Sequence, residues 1–80
     1  MSFKVGDLTQ VAFYEPWGHL VWEVIGVTKQ EPSDLIMCKL IYGVTPGYGR
    51  QLNVGDVQPF NCPSLCHANE MLVLAIEASR

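Results

Sequence analysis

Turn-forming residues cut most of this chain into pieces too short for a long helix. Gly6-Asp7, Glu15-Pro16-Trp17-Gly18, Gln30-Glu31-Pro32-Ser33-Asp34, the stretch GVTPGYGR over residues 43–50 and Gly55-Asp56 are all turn chemistry. The runs between them are rich in β-branched and aromatic residues, the composition of half-buried strands. Leu8 to Tyr14 reads as a first strand with Val11 and Phe13 on one face. Leu20 to Thr28 reads as a second, apolar enough along its length to predict cover on both faces. Gly26 inside it marks a bulge or a tight bend. In the third run, Leu35 to Tyr42, Ile36, Cys38, Leu40 and Tyr42 alternate with Leu35, Met37, Lys39 and Ile41, and Lys39 marks the wetter face.

The phrase Val-Gly-Asp occurs twice, at residues 5–7 and 54–56. Each copy places a β-favouring residue before a Gly-Asp turn that releases an extended run. Three shared residues indicate repeated turn chemistry and no duplicated domain. Beyond the second copy the pattern is ambiguous. Asn69 to Ser79 suits a helix by its Ala, Leu, Met and Glu content, with Leu65, Ala68, Leu72 and Ala75 as the stripe, and a strand by its alternation. A short helical turn over Pro63 to His67 and a final strand from Glu70 to Glu77 is the expected arrangement, because an open four-stranded sheet leaves two edges to protect. The expected fold is mainly β: a small barrel of four to five antiparallel strands with a short helical turn near the C-terminus.

At 80 residues the chain is one small domain, 1–80, and its apolar fraction of 49% is large for so small a body to hide. A homo-oligomer is therefore expected, associating through strand faces that bear Trp22, Ile41 or Tyr42. The net charge of -3, with five scattered basic residues, argues against nucleic acid as a partner. The longest wholly apolar run, Met71 to Ile76, is too short to span a bilayer, and no basic segment precedes an apolar one at the N-terminus. Cys38, Cys62 and Cys66 make an odd count that suits a reducing compartment, so a soluble, cytoplasmic protein is expected.

Four groups could carry chemistry. Cys62, Cys66 and His67, with His19 as a fourth, are soft donors of the kind zinc takes, but their spacing fits a metal knuckle poorly, and no metal is expected. Cys66 beside His67 and near Glu70 is a possible thiol nucleophile, yet sequence neighbours on a regular backbone rarely face each other, so no catalytic residue is assigned. The rings of Tyr14, Trp17, Trp22, Tyr42, Tyr48 and Phe60 could line a ligand site, with Trp17 and Tyr48 exposed on loops and Trp22 and Tyr42 in core or interface. GVTPGYGR lacks the lysine and following helix of a phosphate loop, although Arg50 at its end could hold an anion.

FKVGD before an extended run, WEVIGV with its Gly bend, and a third strand after a polar turn resemble the SH3-like small barrels of the KOW and Tudor kind. That resemblance implies a binding module presenting aromatic rings to a protein or small-molecule ligand, and the candidate ligand-binding residues are the rings of Trp17, Tyr48 and Phe60 together with Arg50 and Gln58. Val57-Gln58-Pro59-Phe60 is also similar to the Val-Gln-Ile-Tyr signature of the plasmid-borne type II dihydrofolate reductases, SH3-like barrels that form tetramers around one pore. This second resemblance implies folate and NADPH held by Gln58, with Phe60 in the tyrosine's place and Pro59 in the isoleucine's. The family also uses a lysine near the end of the first strand, and residues 10–14 hold none. The expected function is thus a non-catalytic binding module without a cofactor, and the pore-type NADPH-dependent reductase is the alternative.

Overall fold

The computed structural model describes residues 2–12, 14–45 and 51–79. Its elements run as strand β1 (Leu8–Val11), a 3-10 turn (Glu15–Trp17), β2 (Val21–Thr28), β3 (Leu35–Tyr42), β4 (Val57–Asn61), a second 3-10 turn (Cys62–Ser64), β5 (Leu65–His67) and helix α1 (Glu70–Ser79). All pairings are antiparallel, in one sheet of order β4-β3-β2-β1-β5. The fold is mainly β, as expected, but the sheet is not closed into a barrel.

The alternation of β3 decides where the core lies. Ile36, Cys38 and Leu40 are wholly buried, while Lys39 on the other face is exposed. Opposite them on β2 stand Trp22 and Val24, also wholly buried, and Val11 and Leu65 extend the same cluster across β1 and β5. Cover on both faces holds only for the start of β2, where the successive residues Val21 and Trp22 are both buried. Further on, Ile25 is 44% exposed, and there the register shifts so that Ile25 and Gly26 together oppose Met37. This is the bulge that Gly26 announces.

The two Val-Gly-Asp segments form the same turn, bond for bond. Asp7 N–H donates to the Lys4 carbonyl and Lys4 N–H donates back to the Asp7 carboxylate; Asp56 and Asn53 do the same. Gly6 and Gly55 take φ of 98° and 102°, which the third position of a type II turn requires. Each turn then docks on a core strand alike: Gly6 N–H to the Val24 carbonyl and Val24 N–H to that of Asp7, Gly55 N–H to the Leu40 carbonyl and Leu40 N–H to that of Asp56. Asp7→Ala and Asp56→Ala should therefore each lower stability by about 1 kcal/mol, and by the same amount within about 0.5 kcal/mol, in urea unfolding.

Residues 70–77 are helical, against the strand expected for them. Asn69 caps α1: its side-chain oxygen accepts from Met71 N–H and its carbonyl from Val73 N–H, with Glu70 in the first turn. Ile76 is buried and Leu72 and Val73 half-buried, so the inward side differs from the stripe through Ala68 and Ala75. Gln10, on the wetter face of β1, ties two neighbours to the sheet: its Nε2 donates to the Gly18 carbonyl, and its Oε1 accepts from Asn69 N–H, which places the start of α1. Removing the cap by Asn69→Ala should cost about 1 kcal/mol and part of the helical circular dichroism.

A closing strand is not what protects the edges. Cys62 N–H bonds the Asp34 carbonyl and Leu40 N–H that of Asp56, so in β4 the even-numbered residues face β3 and the N–H groups of Val57, Pro59 and Asn61 would face outward. Proline has no N–H, so Pro59 blunts the middle of that edge. At the other edge β5 is only three residues long.

Candidate functional site

Trp22 is wholly buried in the core of the monomer, so it cannot serve a subunit interface, whereas Tyr42 at the end of β3 is 48% exposed. From Trp22 a series of rings leads outward. Phe60 meets it edge-on at 5.0 Å, and Trp17 lies at 6.2 Å from Trp22 and 6.3 Å from Phe60, perpendicular to the latter. Tyr14, half-exposed, stands edge-on to Trp17 at 5.4 Å. These separations and angles are the favoured geometry of aromatic pairs.

Each ring is placed by its own stretch of backbone. Pro16 sits inside the turn Glu15–Trp17, and the bonds Trp17 N–H to the Tyr14 carbonyl and Leu20 N–H to the Trp17 carbonyl wind the chain so that Trp17 folds back on the sheet. Phe60 is brought over the core by its register with Ile36, and Gln58, opposite Cys38, lies on the same side of β4, half-buried. The structure thus joins Trp17 and Phe60 and places Gln58 two residues away on the Phe60 face. Tyr48 and Arg50 lie outside the described residues.

Between two turns is a cavity of about 540 Å³, within the range of ligand pockets. One wall is the turn with Glu31, Pro32 and Asp34, and the other is Cys62, Pro63 and Leu65. The Cys62 N–H to Asp34 carbonyl bond fixes the two walls together. Lys29 Nζ donates to the Asp34 carboxylate at 2.9 Å. That hydrogen bond is the main reason the Asp34 carboxyl stays below its ordinary pKa and the Lys29 ammonium above its own. The sequence shows the turn but not the cavity.

The Cys/His candidates do not converge. Cys66 and His67 are successive residues of β5 and point to opposite faces, with His67 against the Phe3 ring at 4.8 Å. Cys66 Sγ donates to the Gln10 carbonyl, and His19 Nε2 bonds the Val44 carbonyl. Among the described residues no three His, Cys, Asp or Glu side chains gather as a metal site. Cys38 is inert for a different reason: burial pushes its thiol from 9.0 up to about 11. A thiol reagent at pH 8 should modify Cys62 and Cys66 first and Cys38 only on unfolding. Because the folded state holds the Cys38 proton more tightly, its contribution is complete below pH 9 and falls away as pH rises toward 11.

Comparison with protein-family models, with curated proteins and with solved structures finds no match. Among the described residues no helix is long and apolar enough to cross a membrane.

Proposed function

We propose that this chain is a non-catalytic binding module of SH3-like type whose ligand surface is the ridge of Tyr14, Trp17 and Phe60. The observation that carries the reading is the continuous ring series from wholly buried Trp22 to half-exposed Tyr14. A buried floor makes the outer rings stiff, and rings held stiffly lose little entropy when a partner lies across them. The strand order and the tight turn between β4 and β5 support the SH3-like reading. A flat or cationic group is the ligand chemistry such a ridge suits, and the chain's net negative charge favours the cation.

Titration with a trimethyllysine amide, followed by tryptophan fluorescence, tests this. Trp17→Ala should weaken the probe by roughly 2- to 30-fold, the equivalent of about 0.5–2 kcal/mol of cation–π contact. NADPH should give no saturable change. Saturation at low micromolar NADPH, abolished by Gln58→Ala in a folded protein, would instead establish the pore-type reductase. The module also works, in this proposal, as a small homo-oligomer. Its wetter sheet face offers half-exposed Ile25 and Val57, and α1 offers Met71 and Leu74 at 76% and 63% exposure. A monomer by light scattering at high micromolar concentration would rule this out.

A further inference from the structure

The cavity between the Gln30–Asp34 turn and the Cys62–Ser64 turn has a lining that differs in chemistry from the ring ridge. Its walls combine two prolines and Leu65 with two carboxylates, Glu31 and Asp34. Its volume of about 540 Å³ exceeds the space of a single water many times over. Asp34 is the less exposed partner of its ion pair, 25% exposed in its side chain, and Lys29, 77% exposed in its side chain, bonds it at 2.9 Å and holds its carboxyl below the ordinary pKa. An exposed lysine holding a less exposed carboxylate is readily exchanged, since a surface ion pair contributes little net stability.

We propose that this cavity binds a cation carried on a slim apolar stem, an alkylammonium or a guanidinium, which takes the Asp34 carboxylate from Lys29 while its stem lies between Pro32 and Pro63. Two carboxylates against one ammonium leave the recess net negative, and that sign selects a cation over an anion or a neutral amide. The proline walls present apolar surface to the stem and lose no side-chain entropy when it binds. The proposal is independent of the ring ridge, because among the described residues no ring lines the cavity.

Cys62 lines the cavity and gives a direct test. The whole protein is equilibrated with an equimolar mixture of cystamine, hydroxyethyl disulfide and dithiodipropionate in excess 2-mercaptoethanol, and the adducts at Cys62 and Cys66 are counted by peptide mass spectrometry. Cys66, half-buried like Cys62 and absent from the cavity lining, with its thiol bonded to the Gln10 carbonyl, is the internal reference. Cys62 should carry the ammonium adduct with a preference over Cys66 of about threefold or more, the size expected of one partly exposed ion pair. Glu31→Gln with Asp34→Asn should bring the two cysteines to parity. Lys29→Gln should raise the preference, a gain that damage to the fold would not produce. Free putrescine and free Nα-acetyl-arginine amide, added in turn, distinguish a small diamine from a protein side chain by which one erases the bias. Equal adducts at the two cysteines in the unmodified protein, a bias toward the anionic disulfide, or a fall in preference with Lys29→Gln would each overturn the proposal.

Discussion

Trp22→Ala is expected to remove most of the stability of this protein. Its indole is wholly buried, and both Trp17 and Phe60 rest on it. Truncating a buried Trp to Ala costs about 3–5 kcal/mol, against a total of roughly 4–12 kcal/mol for a domain this size. Urea unfolding should show the midpoint collapsing, and the ring ridge should lose its floor in whatever fraction stays folded. Trp22→Phe separates the two contributions of the indole. Among the described residues Nε1, which is buried, has no hydrogen-bond partner, and an unmade bond of this kind costs about 1–3 kcal/mol. Phenylalanine removes that donor and gives up some volume, so the two effects oppose each other. Its thermal midpoint should stay within about 8 °C of the parent, equivalent to about 1 kcal/mol. A loss as large as that of alanine would show that the N–H has a partner in solution and that the indole is anchored by it.

What the sequence revealed follows from how local each signal is. β3 was legible to the residue because a single lysine at position 39 fixes the phase of a strict alternation. β1 ends at Val11, earlier than the run to Tyr14 suggested, because the turn at Glu15–Trp17 draws the chain off the sheet. The strand assigned to residues 70–77 failed because an unbroken apolar run fits both periods equally. The deciding signal was the cap, Asn69 followed by Glu70, which favours a helix start and has no meaning for a strand. The ring ridge was half legible: Trp17 stood out on its loop, while its contact with Phe60 needs the register of β4 on β3. The cavity was not legible at all, since its walls are far apart in the chain and are brought together by the register of β4 on β3 and by the Cys62 bond to Asp34.

Gly43→Ala should be the second most damaging small substitution, and its contrast with Gly6 and Gly55 makes it informative. All three glycines have positive φ, at 103°, 98° and 102°. An L-residue there costs about 1–2 kcal/mol from backbone sterics alone. Around Gly6 and Gly55 an added methyl meets nothing within 4 Å. At Gly43 it would stand 2.8 Å from Leu20 Cδ2, 3.3 Å from Leu20 Cα and 3.4 Å from the His19 carbonyl. Leu20 is wholly buried, so its side chain has little room to retreat, and the backbone contacts cannot be relieved by a rotamer change. Overpacking of this kind adds about 1–3 kcal/mol, giving about 2–5 kcal/mol in all. The strain falls where β3 leaves the sheet beside the entry to β2, near the register shift between Val21 and Trp22 and the His19–Val44 bond. Urea unfolding should therefore rank Gly43→Ala well below Gly6→Ala and Gly55→Ala, with the latter two alike. If all three lost the same amount, the close approach of residue 43 to Leu20 would be wrong, and with it the way the start of β2 is held against the core.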